Sequence, residues 1–179
     1  MAAPVGNFEF PWQYSFQPFF TLQPNLDTRK KQVEAWCSLI LAYHRHERQY
    51  ILDVVESQNS PLFCNKEINR KLRLDDVQYL LEELQKKGNV EWLDKTQTRC
   101  YILWRTIEEW GTILYGWAAD NGKQNTVCTL YEITNGEDTA GEDFHGLDTN
   151  ILLRVLRALE RQKKAEVFSL GDSEGVKFF

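Results

Sequence analysis

Apolar positions change their spacing several times along the 179-residue chain, and each change marks an element. Val33, Trp36, Ile40 and Tyr43 step by three, four and three, which predicts a helix over residues 29–48 opened by Asp27 or Thr28. Tyr50-Ile51-Leu52 is a short strand candidate, Ser60-Pro61 marks a turn, and residues 66–71 suit a short helix. Val77, Leu80, Leu81 and Leu84 line one face of an amphipathic helix over residues 74–87, closed by Gly88. Two extended stretches, 89–93 and 99–104, flank the polar run 94–98 and read as a β-hairpin.

The order then recurs. A helix over residues 108–119 carries Trp110, Ile113, Leu114 and Trp117 along one side. Residues 127–130 are extended, and residues 130–134 form a short helix ended by Asn135-Gly136. An acidic loop leads into a helix over residues 147–164 with Ile151, Leu152, Val155, Leu156 and Leu159 on its apolar face. Strands at 166–170 and 176–179 enclose a glycine-bearing turn. Helix, small strand, short helix, helix and hairpin make the winged form of the helix-turn-helix plan. The predicted fold class is α+β, mainly helical: winged-helix domains at 27–105 and 106–179, joined with almost no linker, behind an extended N-terminal aromatic arm at 1–26.

Pro4, Pro11, Pro18 and Pro24 bar α-helix from the arm, because proline lacks an N–H and restricts its predecessor. Between them stand Phe8, Phe10, Trp12, Tyr14, Phe16, Phe19 and Phe20. That many rings must be buried somewhere. Proline-stiffened segments lose little entropy on docking, and large rings are common interface anchors. The rings therefore serve a partner, the chain's own first domain, or both in turn.

Charge narrows the partners. The formal net charge is −5 and the isoelectric point about 5.3. Residues 1–105 carry a net of +1 and residues 106–179 a net of −6, so the second half attracts basic partners and repels nucleic acid. Asp75, Asp76, Glu82 and Glu83 also place acid on the first domain's recognition-helix position. Arg154, Arg157, Arg161 and Lys164 make a basic stripe that reads as the solvated back of an amphipathic helix. A winged-helix nucleic-acid-binding transcription regulator is the alternative function that this balance disfavours.

No phosphate-binding glycine loop, nucleophile elbow or metalloprotease motif occurs. Catalytic, cofactor and metal residues are accordingly expected to be none, and the chain is expected not to be an enzyme. His145 beside Glu142 and Asp143 is the one acid/base or metal candidate, and it lacks ligand spacing. Cys37, Cys64, Cys100 and Cys128 have no C-x-x-C pair among them and lie in apolar stretches, which predicts reduced core thiols. With no bilayer-length apolar run and no signal-peptide pattern, the expected location is cytoplasmic, with membrane contact only through partners.

Longer strings carry a resemblance. Pro11-Trp12-Gln13-Tyr14, Pro18-Phe19-Phe20-Thr21-Leu22-Gln23-Pro24, Ser60-Pro61-Leu62-Phe63, Gly88-Asn89-Val90-Glu91-Trp92-Leu93, and residues 129–138 beginning Thr129-Leu130-Tyr131 resemble the small-subunit family of the endosomal sorting complex ESCRT-II. The match runs from about residue 8 to the end. The resemblance implies a subunit that bridges the ESCRT-II core to ESCRT-III during sorting of ubiquitinated cargo into multivesicular bodies, recruited to endosomal membranes. It implies that Pro11, Trp12, Tyr14, Pro18, Phe19 and Phe20 dock on the two larger ESCRT-II subunits. It also implies that the second winged helix binds a charged multivesicular body protein of ESCRT-III through a basic helix. Glu137, Asp138, Glu142 and Asp143 are the acidic residues placed to steer that helix. The family's second motif reads Pro-Pro-Phe-Phe, and Gln17 stands here for its first proline.

Overall fold

The computed structural model describes residues 7–179; Pro4 and the other first positions of the arm lie outside the described residues. The chain forms two compact units, one ending at Trp104 and the other beginning at Arg105.

The arm opens the first unit with two 3-10 turns, Trp12–Ser15 and Gln17–Phe20. Then come α1 (Leu26–Glu47), β1 (Ile51–Asp53), α2 (Val54–Ser57), the small strands β2 (Cys64–Asn65) and β3 (Arg70–Lys71), α3 (Leu74–Lys86), β4 (Val90–Trp92) and β5 (Arg99–Ile102). The main sheet is antiparallel in the order β1-β5-β4, so the last strand inserts between the other two. Cys100 lies opposite both Leu52 and Trp92. Trp36, Ile40, Phe63, Leu72, Leu80, Leu81, Leu84 and Ile102 fill the core beneath it.

The helix expected over 66–71 is absent. Those residues are the turn and second strand of the β2–β3 hairpin, with Asn69 in the left-handed region at φ 52°. The stretch offers only Ile68 to an apolar face, and asparagine tolerates a left-handed turn at little cost. The short helix falls earlier, at α2, where Asp53 accepts a hydrogen bond from the Glu56 N–H. Helix α1 also starts sooner than Asp27 or Thr28 would have it: Asn25 is the cap, its Oδ1 accepting from the Thr28 N–H at 3.1 Å.

The second unit repeats the plan with α4 (Ile107–Asp120), β6 (Val127–Thr129), α5 (Leu130–Asn135), a 3-10 turn at Glu137–Thr139, α6 (Thr149–Arg161), β7 (Ala165–Leu170) and β8 (Ser173–Phe178). Its sheet order is β6-β8-β7, again antiparallel with the final strand in the centre. Thr106 and Glu109 form a reciprocal capping box at the start of α4. Leu170 pairs with Ser173, so the wing closes on Gly171-Asp172 alone, with Gly171 at φ +67° where a side chain would be strained. Two α+β winged-helix domains thus stand in sequence.

All four cysteines are unpaired, and burial pushes the Cys100 thiol up to about 12. No helix of the described residues is long and apolar enough to cross a membrane.

Candidate protein-docking surfaces

The arm lies on the first unit, and its rings divide into two sets. Phe19 and Phe20 are only 4% and 2% exposed and belong to the unit's own core. Phe19 stacks flat on Trp36 at 4.3 Å, and Phe20 meets the same indole edge-on at 5.4 Å. These two of the expected docking residues are thus packed in the chain's own core. Trp36 sits mid-helix with its ring turned to the arm, and its Nε1–H needs an acceptor once buried. The Phe19 carbonyl supplies one at 2.8 Å.

Tyr14 is also held by its own chain. Its hydroxyl donates to the Pro61 carbonyl and lies 3.3 Å from that of Cys64, while its own carbonyl accepts from Asn65 Nδ2 at 2.8 Å. Phe10 stacks on it at 3.8 Å. Burial pushes the phenol up to about 12, so it stays a donor at any physiological pH.

The second set faces out. Trp12 is 72% exposed and Phe16 51%, with ring centroids 5.8 Å apart. Pro11 and Pro18 are exposed beside them. Trp12, Phe16, Pro18 and Phe19 line one side of a largely apolar cleft of about 310 Å³, and Ala35 and the Lys31 and Gln32 side chains of α1 line the other. Phe16 is a docking candidate that the motif strings passed over, because it lies between them. Its offset of four from Trp12 in a locally turned segment was the available signal. Gln17 Oε1 accepts from Arg70 Nη2 at 3.2 Å and so ties the arm to β3.

In the second unit the four acidic residues do not form one patch of free charge. Asp143 Oδ2 accepts from Arg105 Nε at 2.8 Å and fastens the loop to the unit's first residue. Asp138 is exposed and meets Lys123 Nζ at 3.2 Å. Glu137 is exposed and Glu142 half-buried. Tyr131, 72% exposed on α5, and Val127 on β6 add apolar surface to this unit. His145 faces inward through Nδ1, 3.0 Å from the hydroxyl of fully buried Thr139, which itself bonds the Gly136 carbonyl. Among the described residues no group of three acids, histidines or cysteines is placed to hold a metal.

Known proteins share this plan. Vacuolar protein-sorting-associated protein 25 of Danio rerio is 58% identical over 173 residues, spanning 97% of this chain and 99% of that protein. The Homo sapiens protein of the same name is 56% identical over 97% of this chain and 98% of its own. A crystal structure of subunit VPS25 of the endosomal trafficking complex ESCRT-II superposes with a TM-score of 0.81 at 28% identity, covering 93% of this chain and 97% of that one. A chain of the crystal structure of the endosomal complex ESCRT-II (VPS22/VPS25/VPS36) gives 0.79 at 27%, covering 94% of this chain and 98% of that one. With a family model described as "ESCRT-II complex subunit" matching residues 13–148, this chain belongs to the ESCRT-II subunit family.

Proposed function

We propose that this chain is a non-enzymatic adaptor that bridges the ESCRT-II core to ESCRT-III in sorting of ubiquitinated cargo into multivesicular bodies. It is cytoplasmic and reaches endosomal membranes through its partners. The exposed part of the arm, Pro11, Trp12, Phe16 and Pro18, docks on the two larger subunits, with Tyr14, Phe19 and Phe20 holding it from behind. The observation that carries this is the bare pair Trp12 and Phe16, 72% and 51% exposed within an otherwise packed aromatic segment. Large rings left in water beside rigid prolines suit a partner's pocket, and each such anchor contributes about 2–4 kcal/mol. A similar protein's complex with VPS22 and VPS36 supports the choice of partner.

The second unit takes the basic helix of an ESCRT-III charged multivesicular body protein. Support comes from its net charge of −6 and from the loop acids Glu137, Asp138 and Glu142. Co-purification with the two larger subunits tests the first claim: Trp12→Ala with Phe16→Ala abolishes it while leaving helix content unchanged. Retention of both partners by that variant ends the arm reading. For the second claim, Glu137→Lys with Glu142→Lys slows association with the basic helix and flattens its salt dependence. Unchanged low-salt kinetics would remove these acids from the surface.

A further inference from the structure

Two four-residue 3-10 turns have no ladder of their own long enough to fix where Trp12 and Phe16 stand. The fixing comes from α1. Gln32 is 8% exposed, and its amide is spent wholly on the backbone of the arm. Its Nε2 lies 3.2 Å from the Pro18 carbonyl, 2.9 Å from that of Phe19 and 2.8 Å from that of Thr21. Its Oε1 accepts from the Gln23 N–H at 3.0 Å. One side chain on a 22-residue helix thus holds four backbone groups across residues 18–23. Tyr14, bonded to the 61–65 segment, holds the other end. Phe16 lies between these ties and Trp12 two residues before Tyr14, in the same 3-10 turn, and Gln32 also lines the cleft beside both rings.

We infer that Gln32 is a positioning residue for the docking arm: it keeps residues 18–23 on α1, so that Trp12 and Phe16 meet the partner already in their bound arrangement. The inference rests on the docking role proposed above. Other side chains cannot reproduce the tie. Glutamate keeps the acceptor but loses the donors and sets a charge against three carbonyls. Leucine keeps the bulk and no polar atom, and asparagine is one methylene short. An arm that leaves its seat for part of the time binds more weakly by the fraction of time it is away.

The test uses the full chain and the purified pair of larger subunits, with Kd and amide hydrogen exchange as readouts. Gln32→Leu is expected to raise Kd about tenfold and to speed exchange of the Gln23 amide, while α3 and β5 stay protected. On a Trp12→Ala background the same change should cost clearly less, since only Phe16 is then left to position. A purely structural glutamine would give equal losses on both backgrounds, and that result overturns the inference. So does an unchanged Kd with a freely exchanging Gln23 amide. Gln32→Glu, which keeps the shape, carries the same readouts where the leucine variant fails to fold. Full affinity in Trp12→Ala alone would instead sink the docking role itself, whereas a strong Trp12→Ala effect with an inert Gln32→Leu sinks only the tie.

Discussion

The two units share a plan but close their cores from different directions. In the first, the tryptophan of the leading helix, Trp36, is covered by Phe19 and Phe20, which precede that helix in the chain. In the second, Trp117 of α4 is met edge-on at 5.5 Å by Phe144, which comes from the loop between α5 and α6. Small units bury a smaller share of their surface than large domains do, and each here completes its core with an aromatic from outside its long helices and strands. In both cases the recruited segment also presents outward groups. The arm shows Trp12 and Phe16, and the loop shows Glu137 and Asp138. Core closure and the proposed docking surface are therefore neighbours in sequence, and only residue-by-residue burial separates them.

The largest expected effects test that parallel directly. Phe20→Ala and Phe144→Ala should each cost about 3–5 kcal/mol in urea unfolding, as truncation of a buried ring leaves a cavity. Hydrogen exchange should confine each loss to its own unit, and a loss spread over both would break the comparison. A smaller effect separates the units by pH. His44 is 3% exposed on α1, with Nδ1 2.8 Å from the Ile40 carbonyl, and burial lowers its pKa below the ordinary value near 6.5. The unfolded chain then binds a proton there before the folded one does. First-unit stability is full above that ordinary value and falls as pH drops below it, with a slope of up to about 1.4 kcal/mol per unit. His44→Leu should flatten the first unit's pH profile and leave the second's alone, as followed by exchange at pH 5 and 7.5. Next come the caps. Asn25→Ala and Thr106→Ala should each cost about 1 kcal/mol by the same denaturation, α1 and α4 being opened by equivalent hydrogen bonds. The smallest effect is Asp143→Asn, worth less than about 1 kcal/mol because its pair with Arg105 is partly open to water. It should leave binding of the basic helix unchanged, which separates Asp143 from Glu137 and Glu142.

The regular elements were legible because their faces are periodic. Val77, Leu80, Leu81 and Leu84 on α3, and the Ile151–Leu159 face of α6, lie buried as their spacing required. Short pieces were not legible. The four residues of α2 complete barely one turn, and the 66–71 stretch has too few apolar side chains to show either period. Residues 137–146 read as an open acidic loop because their order comes from turn hydrogen bonds and two buried side chains, Thr139 and Phe144, which no spacing announces. At the arm, composition marked out an aromatic segment and left the direction of each ring open. That direction depends on Trp36 and Gln32, whose faces toward the arm become visible only once α1 is folded.

The seating of Phe19 and Phe20 on Trp36, and of Tyr14 against residues 61–65, also has a consequence in time. A ribosome delivers the arm before either seat exists. At roughly 5–20 residues per second, the rings from Phe8 to Phe20 remain uncovered for on the order of several seconds of synthesis. Phe144 is made after Trp117 and escapes that particular wait. Newborn chains of this protein should therefore be most adhesive early in translation, and a chaperone that grips aromatic stretches would find its target in the first twenty residues.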